Sequence, residues 1–227
     1  MQKLVVTFLI STCTFALVSA EPRVSVDFAE APLSDVAEYL RGKSAEYDPS
    51  GRGWNLLIDP SVDGDQPITL RLQQVPLAIV LAYAAELGDF TYAREEFAIV
   101  LRARDPDTPY SPPENLRRGK ELIGQRAAQI TLESFEAEAA PLGDVVRLLS
   151  DRSAELQPGA DPLNFVLGPN VNPDTPVSLT LRNIPLASVA KYAAELSGLR
   201  IRVDGWAITF LDPDPPKVTT TESPAAP

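Results

Sequence analysis

Between Ile68 and Leu87 the spacing of apolar side chains changes once. Ile68, Leu70 and Leu72 alternate with polar neighbours, the period of two of a half-buried strand. Beyond Pro76, Leu77, Val80, Leu81 and Ala84 recur at i, i+3, i+4 and i+7. That is one face of an amphipathic helix, opened by proline in its first turn, where a missing N–H costs nothing. The same change occurs between Val177 and Leu196. Val177, Leu179 and Leu181 alternate, and Leu186, Val189, Ala190 and Ala193 take the helical spacing after Pro185. A strand running directly into a helix, twice, is the unit from which the chain is built.

The correspondence extends well beyond these two stretches. A shift of 109 positions aligns Ser25–Leu101 with Ser134–Phe210 without a gap and gives 29 identities in 77 positions. The period is too long for a solenoid, so each copy is expected to fold around its own core. Each opens with a short strand (Val24, Val26 and Phe28; Ile130 and Leu132). A helix follows, with Leu33, Val36, Ala37 and Leu40, or Leu142, Val145, Val146 and Leu149, turned inward. Asp35 and Asp144 lie in its first turn, where a carboxylate suits the helix dipole. A polar loop leads to an apolar strand, Trp54–Ile58 or Leu163–Leu167, and then to the strand–helix stretch. Two last strands close the unit, Phe90–Ala93 with Phe97–Leu101 and Leu199–Val203 with Trp206–Phe210, turning at Arg94-Glu95-Glu96 and Asp204-Gly205. The predicted fold is α+β: two tandem βαββαββ domains, each with two helices packed on small mixed sheets. Their bounds are 21–103 and 129–211. Residues 104–128 form a linker whose second half has the charge pattern of a short helix. The Pro- and Thr-rich tail, 212–227, is expected to be disordered.

Composition narrows the functions available. Residues 1–20 carry one charge, Lys3, an apolar stretch, and Val18-Ser19-Ala20 ahead of Glu21, the features of a signal peptide cleaved after Ala20. Ile10-Ser11-Thr12-Cys13 loosely resembles a lipobox, which makes a lipoprotein anchored at Cys13 the lesser alternative. The chain has no His, and its single Cys and single Met lie within that segment. A mature protein would have neither thiol nor imidazole. Disulfides, thiolate or imidazole metal sites, and Ser-His or Cys-His nucleophiles are thereby excluded. Removing Lys3 from 20 basic residues leaves 19 against 31 acidic ones, a balance of −12. Such a surface repels phosphate backbones and anionic lipid, so no nucleic-acid partner is expected. A membrane span after signal cleavage is not expected either, because Ser11, Thr12 and Thr14 interrupt the apolar run of residues 1–20, which is expected to be cleaved.

No residue stands out as catalytic, cofactor-binding or metal-ligating. Asp59, Asp63 and Asp65 could suggest a calcium loop, but the second copy has Gly168, Asn172 and Asp174 there, and a turn accounts better for the pattern. Glu86 and Glu195 occupy identical places near the ends of two helices and read as capping or solvating them. A glycosidase would need two carboxyls in one cleft. Asn55 and Asn164 interrupt apolar strands and read as buried amides satisfying backbone groups. Trp54 and Trp206 read as core or rim packing. Arg117, Arg118 and Lys120 read as a solvated helix face.

The stretch Asp59–Leu101 resembles the short N-terminal domain shared by secretins and TonB-dependent receptors. The matching elements are Ile58-Asp59-Pro60, Ile68–Leu72, Val75-Pro76-Leu77, Phe90-Thr91-Tyr92 and Ala98-Ile99-Val100. In the second copy they are Leu167-Gly168-Pro169, Val177–Leu181, Ile184-Pro185-Leu186, Gly198–Ile201 and Ala207-Ile208-Thr209. These are chiefly packing signatures, which specify a fold better than a function. The resemblance implies a periplasmic role in protein–protein contact. No secretin pore domain or receptor barrel follows the repeats in this chain, so neither function carries over. The expectation is a non-enzymatic adaptor or scaffold in an envelope complex of secretin or pilus type. Its partners would be secretin-like or TonB-system-like proteins, or further copies of itself. A sensory module holding a small ligand between the copies is the alternative.

Overall fold

The computed structural model describes residues 22–105, 107 and 111–213. The expected signal segment with Cys13, and the tail from residue 214 onward, lie outside the described residues. Strand β1 (Arg23–Pro32) runs into helix α1 (Leu33–Tyr47), followed by β2 (Leu56–Ile58), β3 (Pro67–Pro76), α2 (Leu77–Leu87), β4 (Phe90–Arg94) and β5 (Ile99–Ala103). Helices α3 (Glu114–Arg117) and α4 (Lys120–Gln129) come next. The second half repeats the order with β6 (Thr131–Pro141), α5 (Leu142–Leu156), β7 (Asn164–Leu167), β8 (Pro176–Pro185), α6 (Leu186–Leu196), β9 (Arg200–Val203) and β10 (Ala207–Leu211). The fold is α+β, with βαββαββ in each repeat.

Each repeat holds two small sheets. The first and third strands pair antiparallel (β1 with β3, β6 with β8), and the other three form a mixed sheet, ordered β2-β5-β4 or β7-β10-β9. Within the mixed sheets β2 and β7 run parallel to β5 and β10, leaving them as edge strands. The opening strands are not short: they pair along their whole length, up to and including the prolines. A bulge interrupts each at the same place, where Glu30 and Ala139 take positive φ (51° and 48°). Their N–H groups donate to equivalent hydroxyls, Thr69 Oγ1 at 3.1 Å and Ser178 Oγ at 2.9 Å. The displaced donors are thus satisfied.

The four prolines that precede the helices of the two repeats, Pro32, Pro76, Pro141 and Pro185, sit at the N-cap rather than in the first turn. No side chain caps these helices. Instead, Leu33 and Ser34 donate N–H groups to Gln66 O and Gly64 O, Leu142 and Gly143 donate to Thr175 O and Pro173 O, and Leu186 donates to Ile130 O. Carbonyls of neighbouring segments therefore satisfy helix ends that would otherwise need a polar cap. At the other end of the first helix of each repeat, an identical serine ties helix to edge strand. Ser153 Oγ donates to Ser150 O (2.7 Å) and accepts from Leu163 N–H (2.9 Å). Ser44 does the same with Arg41 O (2.8 Å) and Trp54 N–H (2.7 Å).

Each repeat has a core cluster, but the clusters are not separate. The first gathers Leu33, Leu40, Leu70, Val80 and Tyr83 of the first repeat and also takes in Leu116 of α3 and Val166 and Ala207 of the second. Each repeat thus has its own cluster, and the first is completed by side chains of the second. Helix α4 packs on the second repeat through Ile123 and Ala127. No helix among the described residues is long and apolar enough to cross a membrane.

Ser153 is buried, and its loss would leave the Leu163 N–H without a partner. Ser153→Ala is expected to lower unfolding free energy by about 1–3 kcal/mol, read by urea denaturation. A change below about 0.3 kcal/mol would contradict the serine tie.

Candidate functional site

The repeats meet through different faces. The first contributes the outer face of α2 (Ile79, Ala82, Tyr83, Glu86) and the edge of β3. The second contributes the mixed sheet β7-β10-β9 and the turn between β9 and β10. Helix α2 is apolar almost all the way round, and residues on both its faces are buried.

At the centre of this seam stands Arg202. Its Nη1 and Nη2 donate to Glu86 Oε1 and Oε2, both at 2.8 Å, a two-pronged pair across the repeats. Nη2 and Nε also reach Asp204, at 2.8 and 2.9 Å. Asp204 Oδ2 further accepts from the Thr209 hydroxyl (3.1 Å) and the Tyr83 hydroxyl (3.3 Å). Glu86 is 4% exposed, so it neither caps a helix end nor meets solvent; the sequence expectation for it is corrected. Glu195, its repeat equivalent, stays on the surface, 3.7 Å from Lys191. Burial works against the Arg202 charge, but the hydrogen bonds and charges of Glu86 and Asp204 outweigh it and hold its pKa above the ordinary arginine value. The Tyr83 phenol is pushed up by burial first and by the Asp204 charge second.

Asn164 is the second link. Its Oδ1 accepts the Gln73 N–H (2.7 Å), its Nδ2 donates to Gln73 O (3.2 Å), and Nδ2 also reaches Trp206 O (3.1 Å). One side-chain amide thus does for the β3 edge what a neighbouring strand would do. Asn55 differs from the expectation: it is exposed, and its Nδ2 donates to Phe97 O (2.8 Å). The reason is that the first repeat has no neighbour at that edge.

Trp206 and Gly205 complete the seam. Trp206 Nε1 donates to Asn115 O (3.1 Å), and the Arg23 guanidinium lies 5.6 Å from its ring centroid. Gly205 N–H donates to Leu116 O (2.6 Å), and a β-carbon at Gly205 would stand 1.6 Å from Arg118 O, so only glycine admits the end of α3 here. Outlying ion pairs run from Arg23 to Asp161 and from Arg71 to Asp151. The first is exposed and worth little, and the second is half-buried.

Two further features lie outside this network. A cavity of about 310 Å³ opens between the repeats, lined in part by Asp27 and Arg71 of the first and by Asp144, Arg147 and Asp174 of the second. Arg71 Nη1 is buried there without a hydrogen-bond partner. On the first repeat, Leu57 and Phe97 are 55% and 75% exposed beside the β2 edge. Their equivalents, Val166 and Trp206, are the side chains that cover the first repeat. Asp59 and Asp63 accept N–H groups of Ser61 and Asp65 in local turns (2.9 Å each). Among the described residues, no group of three or more His, Cys, Asp or Glu could hold a metal ion.

Removing one partner of a buried ion pair leaves the rest uncompensated. Arg202→Leu, which strands Glu86 beside Asp204, is expected to cost about 3–5 kcal/mol in chemical denaturation. A loss under about 1 kcal/mol would mean that the guanidinium does not join the repeats. The two asparagines offer a paired contrast. Asn164→Ala is expected to cost about 1–3 kcal/mol because Gln73 loses both backbone partners, and Asn55→Ala under about 0.5 kcal/mol. Equal losses would contradict their different environments.

No protein-family model matches the chain, and no curated protein matches it either.

Proposed function

We propose that this chain is an exported, non-enzymatic protein–protein interaction module, an adaptor or scaffold in an envelope complex of secretin or pilus type. On this reading residues 1–20 are removed after Ala20 and the two repeats are short secretin/TonB-type domains. The βαββαββ order and the residue pattern that resembles that family support it. The observation that carries the reading is the exposed apolar pair Leu57 and Phe97 beside an unpaired strand edge. Arg41 donates to the Leu56 carbonyl on that edge (2.7 and 3.1 Å), so the docking surface is chiefly these two side chains, and large apolar groups this exposed suit contact with another protein.

The test is a photo-cross-linking residue at position 97 in the intact envelope, compared with one at Glu155, an exposed site remote in sequence from this edge. Discrete adducts of defined mass with other envelope proteins are expected from position 97 and not from 155. Absence of adducts at 97, or the same pattern from both positions, would overturn the adaptor reading.

A second reading, a small-ligand sensor, draws on the inter-repeat cavity and the unpartnered Arg71 Nη1 within it. An anionic ligand would supply the missing acceptor. Titration with inorganic phosphate and with succinate would then raise the melting temperature saturably, and Arg71→Met would abolish the rise. A flat response to both anions would count against this reading.

A further inference from the structure

Each repeat carries the same two surfaces, and the chain uses each surface only once. The outer face of α2 is covered by the β7-β10-β9 sheet together with Leu116 of α3. The corresponding face of α6 and the corresponding sheet of the first repeat are left over. Three of the exposed large apolar side chains are the repeat equivalents of seam residues: Leu57 for Val166, Phe97 for Trp206 and Tyr192 for Tyr83. Tyr192 is 44% exposed, whereas Tyr83 is fully buried. A contact between two different faces does not close on itself, so it leaves one of each face open for the next unit.

We propose that the occupant of these faces is a second copy of this chain, which docks its α6 face on the Leu57–Phe97 face and repeats between chains the contact made within the chain. This deepens the interaction-module reading above and rests on it. Phe97 takes the place of Trp206, and the exposed Asn55 amide takes that of Asn164, meeting the backbone of Arg182, the counterpart of Gln73. The charges differ in a way that matters. Ala93 stands where the seam has Arg202, so Glu195 meets no arginine, but Lys191 on its own helix already accompanies it. Lys191, in place of Ala82 and adjacent to Tyr192, carries a positive charge toward Glu95, the counterpart of Asp204; Arg102 already pairs with Glu95 at 2.6 Å. With Ser188 for Ile79 and no buried ion cluster, the contact between chains is weaker than the one within, and therefore reversible and concentration-dependent.

The test is light scattering on the processed chain from Glu21 onward, over concentrations up to roughly 500 µM, a range that captures sub-millimolar association. The mass-average of the unaltered chain is expected to rise to at least about twice the monomer mass, while Phe97→Glu and Tyr192→Glu each stay monomeric. Both positions are exposed, so neither change threatens folding. Mixed in equal amounts, the two variants are expected to form a dimer and go no further, because each retains the face that the other has lost. A monomer at every concentration, association that survives both substitutions, or failure of the mixture to dimerise would overturn the proposal. The outcome stays separable from the adaptor reading. A monomer that still cross-links to another envelope protein through position 97 removes only the self-docking, and a monomer with no adduct removes both.

Discussion

A guanidinium taken largely out of water between two carboxylates constrains everything around it. Arg202 needs both Glu86 and Asp204 to keep its charge in that place, and each carboxylate, buried in turn, needs Arg202. Glu86 belongs to the first repeat and the other two residues to the second, so the ion cluster forms only when the repeats are docked. Coulomb attraction at such separations is strong, but desolvating three charges offsets much of it. Its chief effect is therefore on geometry. Two-pronged pairing permits one orientation of α2 on the sheet, and the amide pairing of Asn164 with Gln73 fixes the register along β3. Apolar contacts by Val166 and Ala207 then add non-directional burial to an arrangement already specified.

Duplication followed by divergence at a few positions explains how two nearly identical helices come to have different environments. Helices α2 and α6 share Tyr-Ala-Ala-Glu-Leu, yet Tyr83 and Glu86 are buried and Tyr192 and Glu195 are exposed. The difference lies one turn earlier. Ile79 and Ala82 continue the apolar surface of α2 onto its outer face, whereas Ser188 and Lys191 make the same face of α6 wettable. On the sheet side, Arg202 and Gly205 replace Ala93 and Glu96. One substitution supplies the charge and the other clears space for the end of α3.

These contrasts show how far the sequence could be read. Period-two and period-3.6 patterns, with a proline between them, are local signals, and the strand–helix junctions at Pro76 and Pro185 follow from them. The repeat shift brought out both βαββαββ units. Glu86 cannot be told from its copy, Glu195, by the motif they share; burial there is decided by a residue 116 positions away. Asn55 and Asn164 look alike for the same reason, although only the second has a β3 edge to satisfy. The length of β1 and β6 was also hidden. Their outer halves, Phe28–Pro32 and Ala137–Pro141, are poorly alternating, and the bulges at Glu30 and Ala139 shift the pleat. The composition of the two helices does carry the distinction: α2 is too apolar for a surface helix and α6 is not.

The account depends most on α2 being enclosed between the repeats while α6 is open on its outer face. Chain from Glu21 onward lacks cysteine, because Cys13 is the only one, so a single introduced thiol can report on each helix without interference. Comparing the reaction of Ala82→Cys and Lys191→Cys with an aromatic disulfide reagent tests the claim directly. The thiol at 191 is expected to react as an exposed cysteine, and the thiol at 82 on the order of a hundredfold more slowly or worse, at the rate of opening. Equal rates at the two positions would mean that the repeats do not pack through α2, and the seam described above would not exist in solution.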